Sequence, residues 1–299
     1  MTEIYLENNE LISEDKWKRF VKSLKNDYNS LETNLERSKR RIKNALEDAF
    51  KARYEDKSGI LVSGGVDSSL LALIGKKLGF NFKCYSIGLE GSDDLEYSGK
   101  LAESLGLNLK IKIVDTDDLE STFKYVLSVL GDTEVTNINI GAVFVIAANF
   151  AKEDNVKTLF TGLGADSLFF GFEKQSRIFQ AEGFEGMHEE CFNWLNEMWG
   201  KDLSRDVNLA NNLGLNLKTP FLDKQVIMEA VRIHPMLKIS NTGNKLVLRE
   251  LAKDEGLPQE IAFRKKSASQ YGSKVQKAMD KIASEKGFKT KRDYLNSLK

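Results

Sequence analysis

The feature that most restricts this chain is an alternation. From Gly59 onward, short apolar runs at Ile60–Val62, Phe82–Ile87, Leu109–Val114 and Val156–Phe160 read as strands. Segments with helical spacing lie between them, at Ser68–Leu78, Asp94–Leu105, Asp117–Leu130 and Ile140–Lys152. Strand–helix alternation predicts a parallel sheet covered by helices on both faces and joined by right-handed crossovers. Gly79 and Gly106 stand just past two helix ends, where a left-handed residue is wanted. Upstream, Val21, Leu24, Tyr28, Leu31, Leu35, Ile42 and Ala45 form a helical stripe. It predicts one long amphipathic helix over 13–57, or two broken near Asn29–Ser30. Ser38 interrupts the stripe while Leu46 and Phe50 widen it, which favours packing on the chain's own body over a coiled-coil homodimer. After about residue 170 strands fade, and Glu173–Trp199, Lys224–Arg232, Lys245–Glu255 and Ser273–Lys286 look helical. The expected fold class is α/β. A doubly wound parallel sheet occupies 57–172, with a helical extension over 1–56 and a mostly helical part over 173–299.

Composition narrows the function. Lys plus Arg equals Asp plus Glu at 44 each in 299 residues, which argues against a dedicated nucleic-acid binder. Cys84 and Cys191 are too few for a disulfide framework. His188 and Cys191 make one H-x-x-C pair, short of a zinc ligand set. His188 and His234 read as surface or structural residues. The N-terminus is too acidic for a signal peptide, and the apolar run Ile140–Ala151 is too short to span a bilayer. The expected location is the cytoplasm.

Residues 60–79, ILVSGGVDSSLLALIGKKLG, place small polar residues between an apolar strand and an apolar helix. In an open parallel sheet, ligands bind beyond the carboxyl ends of the strands. Gly64 and Gly65 allow close backbone approach, and the free amides of the helix start near Asp67–Ser69 form an anion cradle. No lysine follows the glycines, so this is not a Walker A loop. A carboxylate about 4 Å from a phosphate oxygen is repelled by roughly 4 kcal/mol at an effective dielectric of about 20. If phosphate binds here, Asp67 works through a divalent cation such as Mg²⁺; the plainer alternative is a helix cap on a tight turn. A second strand ends in Thr161-Gly162-Leu163-Gly164 followed by Asp166, and the two aspartates are placed to face one crevice and share a metal. Arg264-Lys265-Lys266 is either a solvated basic run or a clamp on a departing polyphosphate. Asn137 and Asn139 either cap the following helix or touch an acceptor.

Ser63-Gly64-Gly65-Val66-Asp67-Ser68 resembles the S-G-G-x-D-S signature of the PP-loop ATP pyrophosphatases. Within that superfamily, Thr161–Phe172 resembles the S-G-E-G-A-D-E-L-F-G-G-Y stretch of asparagine synthetase. Thr219–Asp223 resembles its V-P-F-L-D, Lys245–Arg249 its K-x-x-L-R, and Arg264–Lys266 its R-x-K, all in the family's order. The resemblance implies an adenine nucleotide α-hydrolase-like fold that uses ATP and Mg²⁺. It implies that a substrate carboxylate attacks the α-phosphorus, pyrophosphate leaves, and an amine displaces AMP from the acyl-adenylate. It assigns Ser63, Gly65, Asp67 and Ser68, with Gly64 in the same loop, to the pyrophosphate. Backbone near Val62, Ile87 and Gly162 goes to the adenosine, Asp67 and Asp166 to the metal, and Lys266 to the leaving pyrophosphate.

Three departures shape the expectation. Thr2 stands where the glutaminase cysteine of that family follows the initiator methionine, and only some fifty residues precede the loop. Nitrogen is therefore expected from free ammonia, another amine or a separate glutaminase partner. Leu163 replaces the glutamate of G-E-G, and Asp166-Ser167 replaces the D-E pair. The ATP half reads as intact and the acceptor half as altered. Aspartate and a different small carboxylate, as in the β-lactam-forming synthetases, both stay open as the acid. The competing classes are a tRNA-modifying PP-loop enzyme and a non-catalytic ATP-binding regulatory subunit.

Overall fold

The structure is a computed structural model and describes residues 3–172, 175–240 and 243–299. Thr2, and Glu173 at the start of the predicted helix Glu173–Trp199, lie outside the described residues. A small hairpin, β1 (Leu6–Glu7) and β2 (Glu10–Leu11), precedes α1 (Glu14–Ser23) and α2 (Leu35–Lys51). A 3₁₀ turn at Tyr28–Ser30 separates the two helices, so the amphipathic stripe takes its broken form. Ser13 and Asn34 cap them by accepting from the Lys16 and Arg37 amides.

The predicted alternation follows. The strands are β3 (Ser58–Leu61), β4 (Phe82–Gly88), β5 (Leu109–Ile113), β6 (Thr158–Phe160) and β7 (Asn216–Lys218). They form one parallel sheet in the order β5-β4-β3-β6-β7. Between them run α3 (Val66–Lys77), α4 (Asp93–Leu105), α5 (Thr116–Leu130), α6 (Val135–Lys152), α7 (Ala165–Phe169), α8 (Gln175–Met198) and α9 (Ser204–Asn212). Gly79 and Gly106 take positive φ, as their places after α3 and α4 require. Strand order reverses at β3, which has β4 on one side and β6 on the other. That is the switch point where a crevice opens. In the β3–β6 register, Ile60 lies opposite Phe160, so the segments after both strands leave the sheet at the same level.

One correction concerns the C-terminal part, where strands were expected to fade. Asn216–Lys218 pairs with β6 and forms the edge of the sheet. A second concerns α8, which breaks at Gly183, where φ is 66° and ψ −161°. The chain continues through α10 (Lys224–Val231), the hairpin β8 (Ile239–Ser240) and β9 (Gly243–Asn244), and α11 (Leu246–Asp254). It ends with α12 (Gln259–Ala262), α13 (Ser269–Gly272), α14 (Val275–Glu285) and α15 (Lys291–Ser297).

Each face of the sheet carries a core. On one, Phe50 of α2 stacks on Phe160 with centroids 4.4 Å apart, in a cluster with Leu70, Leu71, Val226 and Leu248. Gly75 of α3 makes room, since a Cβ there would stand 2.9 Å from Phe50 Cζ. The stripe residues Val21, Leu24, Ile42, Ala45, Leu46 and Phe50 are consumed by this core. On the other face α5, α6 and α9 bury Phe123, Val126, Ile138 and Leu209. α6 is 18 residues long and apolar enough to cross a membrane, longer than the run Ile140–Ala151 suggested. Here it packs in the core, with Gly141 against Val126 and Leu209.

Candidate active site

The loop after β3 is shaped by contacts on both sides. Gly64 has φ 70°, and a Cβ there would lie 2.4 Å from Tyr97 Cβ of α4. A side chain would strain the backbone and collide with the helix. Gly65 is the N-cap of α3 and offers no side-chain acceptor, so the amides of the first turn stand without intrahelical partners. The hydroxyls knit the loop. Gly65 N donates to Ser63 Oγ at 3.4 Å, Ser63 N donates to Ser68 Oγ at 3.3 Å, and Ser68 Oγ donates to Gly65 O at 3.4 Å. Val62 follows the end of β3 and donates to Tyr85 O at 2.9 Å; Ile87, also buried, lies near the end of β4.

The second loop, after β6, meets the first. A Cβ on Gly162 would lie 3.0 Å from Asp67 Cβ, so glycine permits the approach. Gly164, with φ 96°, leads into α7 and Asp166. Asp67 and Asp166 do converge, and the residue joining them is Lys245. Its Nζ lies 2.5 Å from Asp67 Oδ2 and 2.5 Å from Asp166 Oδ1, and the residue is 1% exposed. Lys266 Nζ donates to Asp166 Oδ2 at 2.6 Å. Burial alone would raise the Asp166 carboxyl, but Lys245 and Lys266 outweigh it and hold its pKa well below the usual carboxylate range. Burial likewise acts to lower Lys245, and the two carboxylates reverse it, so its pKa is raised. Lys245 reaches the site from a left-handed backbone at φ 61°. Gly171 closes the packing, since a Cβ there would fall 1.8 Å from Asp166 Oδ1 and 2.5 Å from Lys245 Cε.

The basic run divides its labour. Lys265 is exposed. Arg264 turns inward, donates to Asp94 Oδ1 at 2.8 Å and to the carbonyl of Ser63, and lies 4.3 Å over the Tyr97 ring. It braces the glycine loop instead of standing free for a ligand. Burial raises the Asp94 carboxyl to about 6 against the pull of Arg264. Arg249 spends its guanidinium on backbone, donating to the carbonyls of Asn244 (2.6 Å), Ala262 (2.7 Å) and Arg264 (2.9 Å).

The donors present suit a hard divalent cation. Among the described residues, Asp67 Oδ1 is buried without a hydrogen-bond partner, and so is Thr161 Oγ1 beside Gly162. Asp166 Oδ1 has its ion pair with Lys245 but, among the described residues, no aligned hydrogen bond. Two carboxylates and spare oxygens are a fitting set for Mg²⁺, which keeps several waters and takes few protein ligands. Lys245 now fills the gap between them.

Comparison with known proteins decides the family. The asparagine synthase family model matches residues 41–185 and 174–296. A putative glutamine-hydrolysing asparagine synthetase of Methanocaldococcus jannaschii is 31% identical, over 90% of this chain and 56% of its own length. The chain belongs to the asparagine synthase family. Asparagine synthetase B of Escherichia coli is 27% identical, over 80% of this chain and 46% of its own. The chain thus spans about half the length of these curated relatives. Among solved structures, NMN synthetase from Francisella tularensis has 13% sequence identity and a TM-score of 0.43, covering 89% of this chain and 94% of that one.

Within this asparagine synthase family chain, several predicted residues play other parts. Asn137 and Asn139 do not cap α6; Glu134 does, accepting from the Asn137 amide. Asn139 is buried and donates to Val135 O at 2.9 Å. Leu163 is half-buried and packs on the core, and Ser167 is buried, its carbonyl accepting from Cys191 Sγ at 3.4 Å. Sequence reasoning gave no role to Lys245, although it lies in the K-x-x-L-R stretch, nor to Asp94 and Tyr97. The signal for Lys245 was the motif itself. Its partners were hidden because 178 residues separate it from Asp67.

Proposed function

We propose that this chain is the synthetase part of an ATP-dependent, adenylate-forming ligase of the asparagine synthetase type. The carboxylate of a small acid attacks the α-phosphorus of ATP, pyrophosphate leaves, and an acyl-adenylate forms. Ammonia or another amine attacks the acyl carbon, and AMP leaves as the amide forms. The observation that carries this reading is the meeting of Asp67 and Asp166, from two strand-end glycine loops, under Lys245 and Lys266. Ser63, Gly64, Gly65 and Ser68 hold the pyrophosphate through amides and hydroxyls, and backbone at Val62, Ile87 and Gly162 borders the adenosine. Asp67 and Asp166 hold Mg²⁺, which when bound spreads the polyphosphate charge. Lys266 neutralises the leaving pyrophosphate. Residues 57–172 carry both loops, whereas the cations arrive from 173–299; the division at 56 and 172 and the cytoplasmic location are part of the same reading.

Aspartate is the first acid to test, since the relatives are named asparagine synthetases. Leu163 favours a second version, in which the same ATP chemistry serves a different carboxylate beside an apolar wall. Pyrophosphate release from ATP with Mg²⁺, ammonia and aspartate, compared with Asp67→Asn, tests both. Aspartate-dependent release that falls about 10³-fold or more in the variant supports the first version. ATP binding without release under aspartate, but with release under another acid, supports the second. No release with any acid in a broad panel contradicts the ligase reading.

A further inference from the structure

Outside the site, a cavity of about 260 Å³ opens between the start of α2 and the end of α10. Ser30, Glu32, Thr33, Arg37, Arg41 and Arg232 line it. Three guanidiniums face one carboxylate there. That carboxylate is committed, because Glu32 Oε1 accepts from the Asn34 amide at 2.9 Å and Oε2 from Arg37 at 3.1 Å. Glu229, just behind, is shared by Arg41 at 3.7 Å and Arg232 at 3.5 Å, and also accepts from Gln225 at 3.0 Å. Three cations against two occupied carboxylates leave a positive excess, and each guanidinium has five N–H donors. The walls are pinned to each other. Glu32 N donates to Arg232 O at 2.8 Å and His234 N donates to Glu32 O at 3.0 Å. The arginine side chains are 45–53% exposed, so solutes reach them.

We propose that this cavity binds the phosphoryl group of a small metabolite. Guanidiniums match phosphate oxygens in paired hydrogen bonds, and a preformed cluster lowers the cost of ordering them. The volume lies below the roughly 300–1,000 Å³ of pockets for drug-sized ligands, which favours a phosphate ester of a few carbons over a nucleotide. The site shares no residue with the glycine loops. It does lie between two helices that support them. Arg53, just past α2, donates to Asp223 Oδ2 at 2.9 Å, and Asp223 is the N-cap of α10. Leu222, one residue earlier, presses on Gly164.

The test uses the full chain at constant ionic strength, with inorganic phosphate and glycerol 3-phosphate as probes and chloride as control. Arginine Nε–Hε resonances, assigned with single Arg→Lys variants, report on Arg37, Arg41 and Arg232 individually. The expected result is a saturable shift of all three with either probe. Tighter saturation by glycerol 3-phosphate identifies a metabolite ester, and tighter saturation by inorganic phosphate identifies the free anion. Arg41→Gln with Arg232→Gln should weaken binding about tenfold or more for each guanidinium lost, with the thermal midpoint measured to show a folded chain. Linear, non-saturating shifts, or equal shifts with chloride, would overturn the proposal. So would phosphate that moves glycine-loop amides and leaves the three arginines still.

Discussion

Lys238 and Lys245 flank the β8–β9 hairpin, and the amide of Leu246 donates to the carbonyl of Lys238 at 2.9 Å. Both are buried, at 0% and 1% exposure. Their surroundings are opposite. Lys245 stands between two carboxylates, while Lys238 Nζ has no hydrogen-bond partner among the described residues and lies 4.8 Å over the Phe170 ring. Burial lowers the Lys238 pKa, with only Cys191 opposing it, whereas at Lys245 the carboxylates reverse the effect of burial. Depth alone therefore does not set the state of a buried amine. The acceptors brought to it do, and this chain spends its acceptors at the glycine loops.

The largest effect should come from Lys245→Met. It leaves Asp67 and Asp166 facing each other, so urea unfolding should show a loss of about 3–5 kcal/mol. Little change would mean that the carboxylates relax apart and that Lys245 is not their keeper. Gly171→Ala comes next, because its Cβ would fall 1.8 Å from Asp166 Oδ1. Pyrophosphate release should drop about 10²-fold as the carboxylate is displaced. Lys238→Met should move stability the other way, by a gain of about 1–3 kcal/mol, since no partner among the described residues is left behind. A loss of similar size would erase the contrast between the lysines.

Proton linkage sharpens it further. The folded pKa of Lys238 lies below its unfolded value of 10.5, so between the two the unfolded chain holds more protons. The Lys238 contribution improves as pH rises through that window, and the difference between wild type and Lys238→Met should shrink toward pH 10.5. His188 adds a signal on the acid side. Burial, aided by Lys238 and His234 and opposed by Glu189 and the Asn26 backbone, pushes it down to about 4 from 6.5. Its stability contribution is present above pH 6.5 and is lost as pH falls toward 4, a slope that His188→Asn should flatten.

Local patterns carried much of this into the sequence. The strand–helix order is legible because each element's apolar period is short-range. Asp67 and Asp166 are legible because each follows a strand and a glycine turn, and the register of β3 with β6 puts those turns side by side. β7 was hidden, being three residues with one buried side chain, Leu217, and held by pairing rather than by its own pattern. Lys245 and Arg264 were hidden for a different reason. Their motifs mark both, but nothing near them in sequence says which distant carboxylate, Asp67 or Asp94, each one crosses the fold to reach.

The pairing of the site has one more consequence. Asp67, Asp166 and Asp94 are paired with Lys245, Lys266 and Arg264, so most of the charge in the crevice is matched internally before anything enters. A polyphosphate arriving there meets no strong long-range field. If it binds there as proposed, it enters by exchanging with counterions the protein already supplies. Its association rate should therefore stay nearly flat as ionic strength rises, unlike that of a site which draws its anion in through a funnel of unpaired positive charge.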